Sequence, residues 1–161
     1  MTTYTIYRVK TNAFGLVGWL QKISASLNRL APGGDLLLRC WVAYAFWVSG
    51  LIKIRNWDST LYLFEYEYSV PLLAPETAAW LSTGVELSGP VLLASGLLGR
   101  GAAAILFLFN LVAVSSYPGL GAAGIEQHQV WGIMLLVILL HGPGEWSADA
   151  WLKQRFFSAA L

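Results

Sequence analysis

The chain has 161 residues, of which 57% are hydrophobic and only 12% charged, and its mean hydropathy is +0.58. That length suits one compact unit, and that balance excludes an ordinary soluble domain and predicts an integral membrane protein. Lys plus Arg number 10 against 9 for Asp plus Glu, so no basic field points to nucleic acid.

Met1 to Asn12 is polar and aromatic, with neither an early apolar core nor a small-residue cleavage site. The first span is therefore expected to direct insertion itself. From Ala13 to Ala31, Leu16, Leu20, Ile23, Leu27 and Leu30 recur at helical spacing between Gln21, Lys22, Ser24, Asn28 and Arg29. One apolar stripe on a weakly basic helix suits the membrane interface, and it equally suits packing on the protein's own face. Pro32-Gly33-Gly34 is expected to break this helix, with Asp35 as N-cap for the next.

Leu36 to Ile54 is the first candidate span, close to the ~20 residues a bilayer requires. Arg39 near its start and Lys53 near its end can both snorkel, and Ser49-Gly50 allows a neighbouring helix to approach. Cys40, the only cysteine, reads as a small packing residue. A single thiol excludes an intramolecular disulfide, a Cys-x-x-Cys redox pair and a thiolate metal cluster within one chain.

Asn56 to Pro75 is not a span. Trp57, Tyr62, Phe64, Tyr66 and Tyr68 mix with Asp58, Glu65 and Glu67, an interfacial pattern. A short helix is expected from Asp58-Ser59-Thr60 to about Tyr68, then an apolar loop from Val70 to Pro75. Thr77 to Leu98 is the second span, in which Ser82, Gly89 and Gly96 form a small-residue stripe. Gly99-Arg100-Gly101 predicts a tight turn, so the third span, about Ala102 to Ser116, returns antiparallel beside the second. The last span needs a start near Ala122, because Val130 to Leu140 alone covers only about 16 Å. That start brings Glu126, Gln127, His128 and Gln129 to membrane depth. His141-Gly142-Pro143-Gly144 stops the helix.

The chain thus reads as an all-α integral membrane bundle of about four transmembrane helices with an N-terminal interfacial amphipathic helix. Its expected division is residues 1–34, the transmembrane domain 35–152 and a tail 153–161. Arg8, Lys10, Lys22, Arg29, Arg100, Lys153 and Arg155 fall on one side, which predicts cytoplasmic N- and C-termini.

The chemistry concentrates on Glu86. An acid at membrane depth is a functional-site hypothesis by default, and Pro90 removes the helical donor for the Glu86 carbonyl. Counting depth at ~1.5 Å per residue, Glu86 meets Asn110, Lys53 or the His128 region before it meets Arg39. Unpaired, it would be protonated at neutral pH. Lys53, Glu86, Asn110, Glu126 and His128 then form a candidate outer-half polar patch for a polar headgroup such as a quinone ring. Interhelical hydrogen-bond glue, worth only about 0.6 kcal/mol per bond, is the competing reading. His128 and His141 lie ~20 Å apart along one helix and cannot share a haem iron. No metal site is expected.

Phe46-Trp47-Val48-Ser49-Gly50-Leu51-Ile52-Lys53, Glu86-Leu87, Gly96-Leu97-Leu98-Gly99-Arg100 and His141-Gly142-Pro143-Gly144-Glu145-Trp146-Ser147-Ala148-Asp149 together resemble the DoxX family, over about Leu36 to Leu152. Ala148 stands where the family pattern has Leu. The stretch from Trp57 through Leu73 resembles the branch found in clusters for bufferin-type copper-binding peptides. The resemblance implies a multi-pass protein of the bacterial cytoplasmic membrane. It makes Arg39, Gly50, Pro90, Gly142, Pro143, Gly144 and Asp149 landmarks beside Lys53 and Glu86, and supplies no catalytic residue. Some relatives are tied to a thiosulfate:quinone oxidoreductase and others to redox-stress complexes. The expected role is a membrane subunit or accessory factor of a redox process linked to the quinone pool, with quinone as a non-covalent cofactor. The alternative is a non-enzymatic scaffold or export component of a copper-stress peptide system. The expected partners are the lipid bilayer and at least one protein, with self-association left open.

Overall fold

The structure, a computed structural model, describes residues 13–157. Arg8 and Lys10, used above for orientation, lie outside the described residues. Among the described residues there are six helices and no strand: α1 (Ala13–Arg55), α2 (Trp57–Tyr66), α3 (Pro75–Ser95), α4 (Gly99–Ser116), α5 (Ala122–His141) and α6 (Ala148–Phe157). The chain divides into two compact units, Met1–Ala31 and Pro32–Leu161. In the first, the stripe residues Leu16, Leu20, Ile23, Leu27 and Leu30 are all exposed.

Pro32-Gly33-Gly34 does not break the helix, contrary to expectation: α1 is helical through Pro32, and Asp35 lies inside it rather than at its cap. Proline's fixed φ is itself helical and its loss is one donor, so the penalty is local. Helix-forming sequence on both sides outweighs it. Asp35 instead faces Gly144, where its carboxylate leaves no room for a Cβ and the backbone takes a positive φ of 80°.

Among the described residues, three helices are long and apolar enough to cross a membrane: Gly15–Arg55, Ala122–His141 and Gly99–Ser116. Helix α3 matches them in length at 21 residues but is more polar, because its Ser82, Thr83 and Glu86 are buried against its neighbours rather than turned to lipid. Thr83 spends its hydroxyl on the Ala79 carbonyl at 2.8 Å, and Ser82 bonds the same carbonyl at 3.0 Å. Polar groups satisfied this way are tolerated in an apolar interior.

The main core joins Val42, Ala43 and Phe46 of α1, Leu93 of α3, Ala102, Ala103 and Leu106 of α4, and Leu135 and Ile138 of α5. Small residues let the helices close. A Cβ at Gly89 would lie 2.8 Å from Leu106 Cδ2. A second cluster packs Phe64 of α2 against Ala78 and Ala79 of α3, with Trp57, Leu61, Tyr68 and Val70 around it. The surfaces of α1, α3, α4 and α5 expose large apolar side chains such as Leu37, Trp41, Trp80, Leu108 and Ile133. That is the expected face toward lipid.

Two further expectations change. The turn between α3 and α4 is Gly96-Leu97-Leu98, not Gly99-Arg100-Gly101, since α4 starts at Gly99. Gly96 (φ 68°) and Leu98 (φ 50°) take left-handed conformations there. Cys40 is exposed rather than packed, because it follows the inward Arg39 by one residue and so points away.

Candidate functional site

Helix α1 carries Ser49 and Lys53 on one face, one turn apart, and α3 brings Glu86 against them. Gly50 makes this approach possible: a Cβ there would sit 3.0 Å from Glu86 Cβ and 3.1 Å from its carbonyl carbon. Lys53 Nζ donates to both carboxylate oxygens of Glu86, at 2.6 Å to Oε1. Ser49 Oγ donates to Oε1 at 3.1 Å and accepts from Lys53 Nζ at 3.1 Å. This is the only salt bridge among the described residues, and both side chains are largely withdrawn from solvent, at 16% and 6% exposure. Glu86 therefore has a partner, and the condition under which it was expected to be protonated is not met. Pro90 lies buried in α3 one turn later without ending the helix.

The pair forms one wall of a cavity of about 240 Å³. The other walls are Phe64, Val70, Val85 and Phe109 with further apolar residues, and Tyr68, Ser82, Ser116, Tyr117 and His128 supply the polar groups besides Ser49. Tyr68 and Tyr117 stack edge to face at 4.9 Å, as do Phe64 and Tyr68. Burial, and then Tyr117 beside it, pushes the Tyr68 phenol above its ordinary value. Ser69 N–H donates to the Ser116 carbonyl at 2.7 Å and ties the α2–α3 connection to the end of α4. The Ser116 hydroxyl, 4% exposed as a residue, has no partner.

Asn110 is not a neighbour of Glu86 in this network. Its Nδ2 donates to the His128 carbonyl at 2.9 Å, and its Oδ1 lies 2.7 Å from His128 Nδ1. This doubly bonded pair joins α4 to α5. A Cβ at Gly132, one turn beyond His128, would come 3.3 Å from Asn110 Nδ2. Trp131 stacks on the His128 ring with centroids 4.9 Å apart. Glu126 is exposed and does not line the cavity, so it leaves the expected patch. Residues two apart on a helix point to different sides, and His128 takes the inward one. Of the five residues expected together, Lys53, Glu86 and His128 line the cavity, and Asn110 stands behind His128. Among the described residues no group of three His, Cys, Asp or Glu is placed to hold a metal ion.

Sequence reasoning missed Ser116 and the tyrosine pair as wall residues. Tyr68 reads as an interfacial anchor in sequence. Only the fold shows that the α2–α3 connection turns it onto Tyr117.

The landmarks at the other end of the bundle form a separate structure. Arg39 is 1% exposed, and its Nη1 and Nη2 donate to the carbonyls of Ala94 (3.2 Å) and Trp146. Gly96 is glycine because a Cβ there would collide with Arg39 Nη1 as well as require φ 68°. Asp149 accepts from the N–H groups of Leu98 and Gly99, both at 2.8 Å, and so caps the start of α4. Gly99 leaves room for Pro143, and Gly142 (φ 95°) lies beside Arg100. Arg39, Gly142, Pro143, Gly144 and Asp149 thus close the bundle end, and Lys53 and Glu86 shape the cavity.

No curated protein and no solved structure matches the chain. The family model of DoxX matches residues 34–118, which runs from the first core helix through the end of α4 and includes Arg39, Lys53, Glu86 and Asn110. That match covers more than half of the 161 residues. The chain belongs to the DoxX family of membrane proteins.

Proposed function

We propose that the cavity beside Glu86 binds the headgroup of a quinone, and that the protein is a membrane subunit or accessory factor of a redox process drawing on the quinone pool. The observation that carries this reading is a bonded Lys53–Ser49–Glu86 group in the wall of a largely apolar cavity. Its volume of about 240 Å³ falls below the ~300–1,000 Å³ usual for drug-sized ligands, and so suits one substituted ring better than a large polar substrate. An apolar wall with a few polar groups is what a ring with oxygen functions requires. His128, Lys53 and Glu86 are groups that can hold or exchange a proton beside it. In this reading the chain is multi-pass in a bacterial cytoplasmic membrane with both termini cytoplasmic, the cavity lies in the outer half, and electrons pass to or from a protein partner.

The test is binding of a short-tailed quinone to the purified protein in nanodiscs, followed by thermal stability and tryptophan fluorescence. The wild-type protein is expected to be stabilised, and Glu86→Gln and Lys53→Met to lose that response. Quinone binding indifferent to both substitutions overturns the site. Absence of binding overturns the reading and favours a scaffold role in a metal-stress peptide system.

A further inference from the structure

The polar groups in the Glu86 wall have unequal bonding capacity left. Lys53 has three N–H donors, and Glu86 Oε1, Glu86 Oε2 and Ser49 Oγ are three acceptors within reach of them. The single Ser49 hydroxyl proton goes to Glu86 Oε1. A carboxylate offers about four acceptor sites. Oε1 already receives Lys53 and Ser49, whereas Oε2 receives Lys53 alone. One site on Oε2 stays open.

His128 adds a second open acceptor. Asn110 Nδ2 donates to the His128 carbonyl, which fixes the amide so that its oxygen is the atom facing His128 Nδ1. An amide oxygen only accepts, so Nδ1 carries the proton. In the neutral ring Nε2 is then the free nitrogen, and it accepts. His128 lines the cavity and Asn110 does not. The donors of Lys53 and Ser49 are taken, and the acceptors Glu86 Oε2 and His128 Nε2 are open.

We infer that this wall selects its ligand as a hydrogen-bond donor: it takes a ring hydroxyl, so that the hydroquinone binds in preference to the quinone. The inference rests on the cavity being the quinone-headgroup site. A quinone carbonyl has only lone pairs, and it would set them against Glu86 Oε2 and the His128 Nε2. A ring hydroxyl supplies the proton either atom lacks. Ser116 Oγ, buried and without a partner in the same cavity, can donate or accept and serves the ligand's second oxygen. The Tyr68 and Tyr117 hydroxyls, at the cavity end of the bundle, can likewise play either part.

The experiment compares four probes on the full chain in nanodiscs: one short-tailed hydroquinone, its quinone, its dimethyl ether, and a 4-alkylphenol. The hydroquinone is expected to bind about tenfold or more tightly than the quinone and the ether, the size of effect one or two net hydrogen bonds produce. Asn110→Leu frees Nδ1 to become the acceptor and should narrow that preference, and Glu86→Gln, which weakens every probe, should weaken the hydroquinone most. Equal or tighter binding of the quinone, still dependent on Glu86, overturns donor selection and leaves the quinone site standing. Glu86-dependent binding of the phenol without either benzoquinone form keeps donor selection and overturns the quinone reading. Failure of all four overturns both.

Discussion

The bundle buries a charged side chain near each end, and the two are treated differently. Arg39 is met by main-chain carbonyls, with no carboxylate in salt-bridge range among the described residues, in a region closed by Gly96, Ser147 and Trp146. Glu86 is met by a lysine and a serine, and the space beyond it is open. A guanidinium fixed by carbonyls at both terminal nitrogens cannot change partners without moving the end of α3 and the α5–α6 connection that supply them. An ion pair on a cavity wall keeps an unused acceptor. The difference separates a fastening from a site, although both are buried charges.

Substitutions at the two ends should therefore separate stability from binding. The largest expected effect is at the fastening. Gly96→Ala places a Cβ on Arg39 Nη1 at a left-handed position and is expected to cost about 3 kcal/mol or more. Unfolding in detergent would show this. Any folded fraction should bind the quinone probe as wild type does, and altered affinity there would break the separation. Next is Glu86→Gln, which strands the Lys53 ammonium. Lys53 retains 16% exposure, so the loss is expected at about 2 kcal/mol, below the 3–5 kcal/mol of a fully buried broken pair. Adding Lys53→Met should recover most of that stability while ligand response stays lost. A double variant no more stable than the single one would show that the pair is not the source of the effect. Asp149→Ala removes the cap of α4 and should cost about 1 kcal/mol, read as a lower midpoint with ligand affinity unchanged. The smallest effect is at Glu126→Gln, exposed and away from the cavity. Neither midpoint nor affinity should move, and a change in affinity would return Glu126 to the site.

Much of this was legible in the sequence. The apolar runs predict the helices, and depth counting along them brings Asn110, Lys53 or the His128 region, rather than Arg39, to Glu86; Lys53 is the one it meets. The phase of α5 was legible too: Glu126 and His128, two residues apart, cannot share one face. Counting depth without counting angle placed both in one patch. The partners of Asn110 were harder to see. It lies at a level where Glu86 and His128 both compete for it, and only packing decides that it bonds the His128 carbonyl and ring. The α3–α4 turn was misplaced because glycines flank it on both sides. What sets the start of α4 is Asp149, fifty residues away in sequence. The continuity of α1 through Pro32 follows from cooperative helix on either side, which a local breaker signal does not weigh.

Arg39 has a consequence for biosynthesis. Its helix is made early, yet the carbonyl of Trp146 that it binds lies 107 residues later in the chain. Until that residue emerges the guanidinium lacks one of its acceptors, and water or a lipid phosphate at the membrane surface must stand in for it. The closing motif that follows α5 then acts as a late latch, and it draws the arginine into the protein only after every other helix of the core has been made.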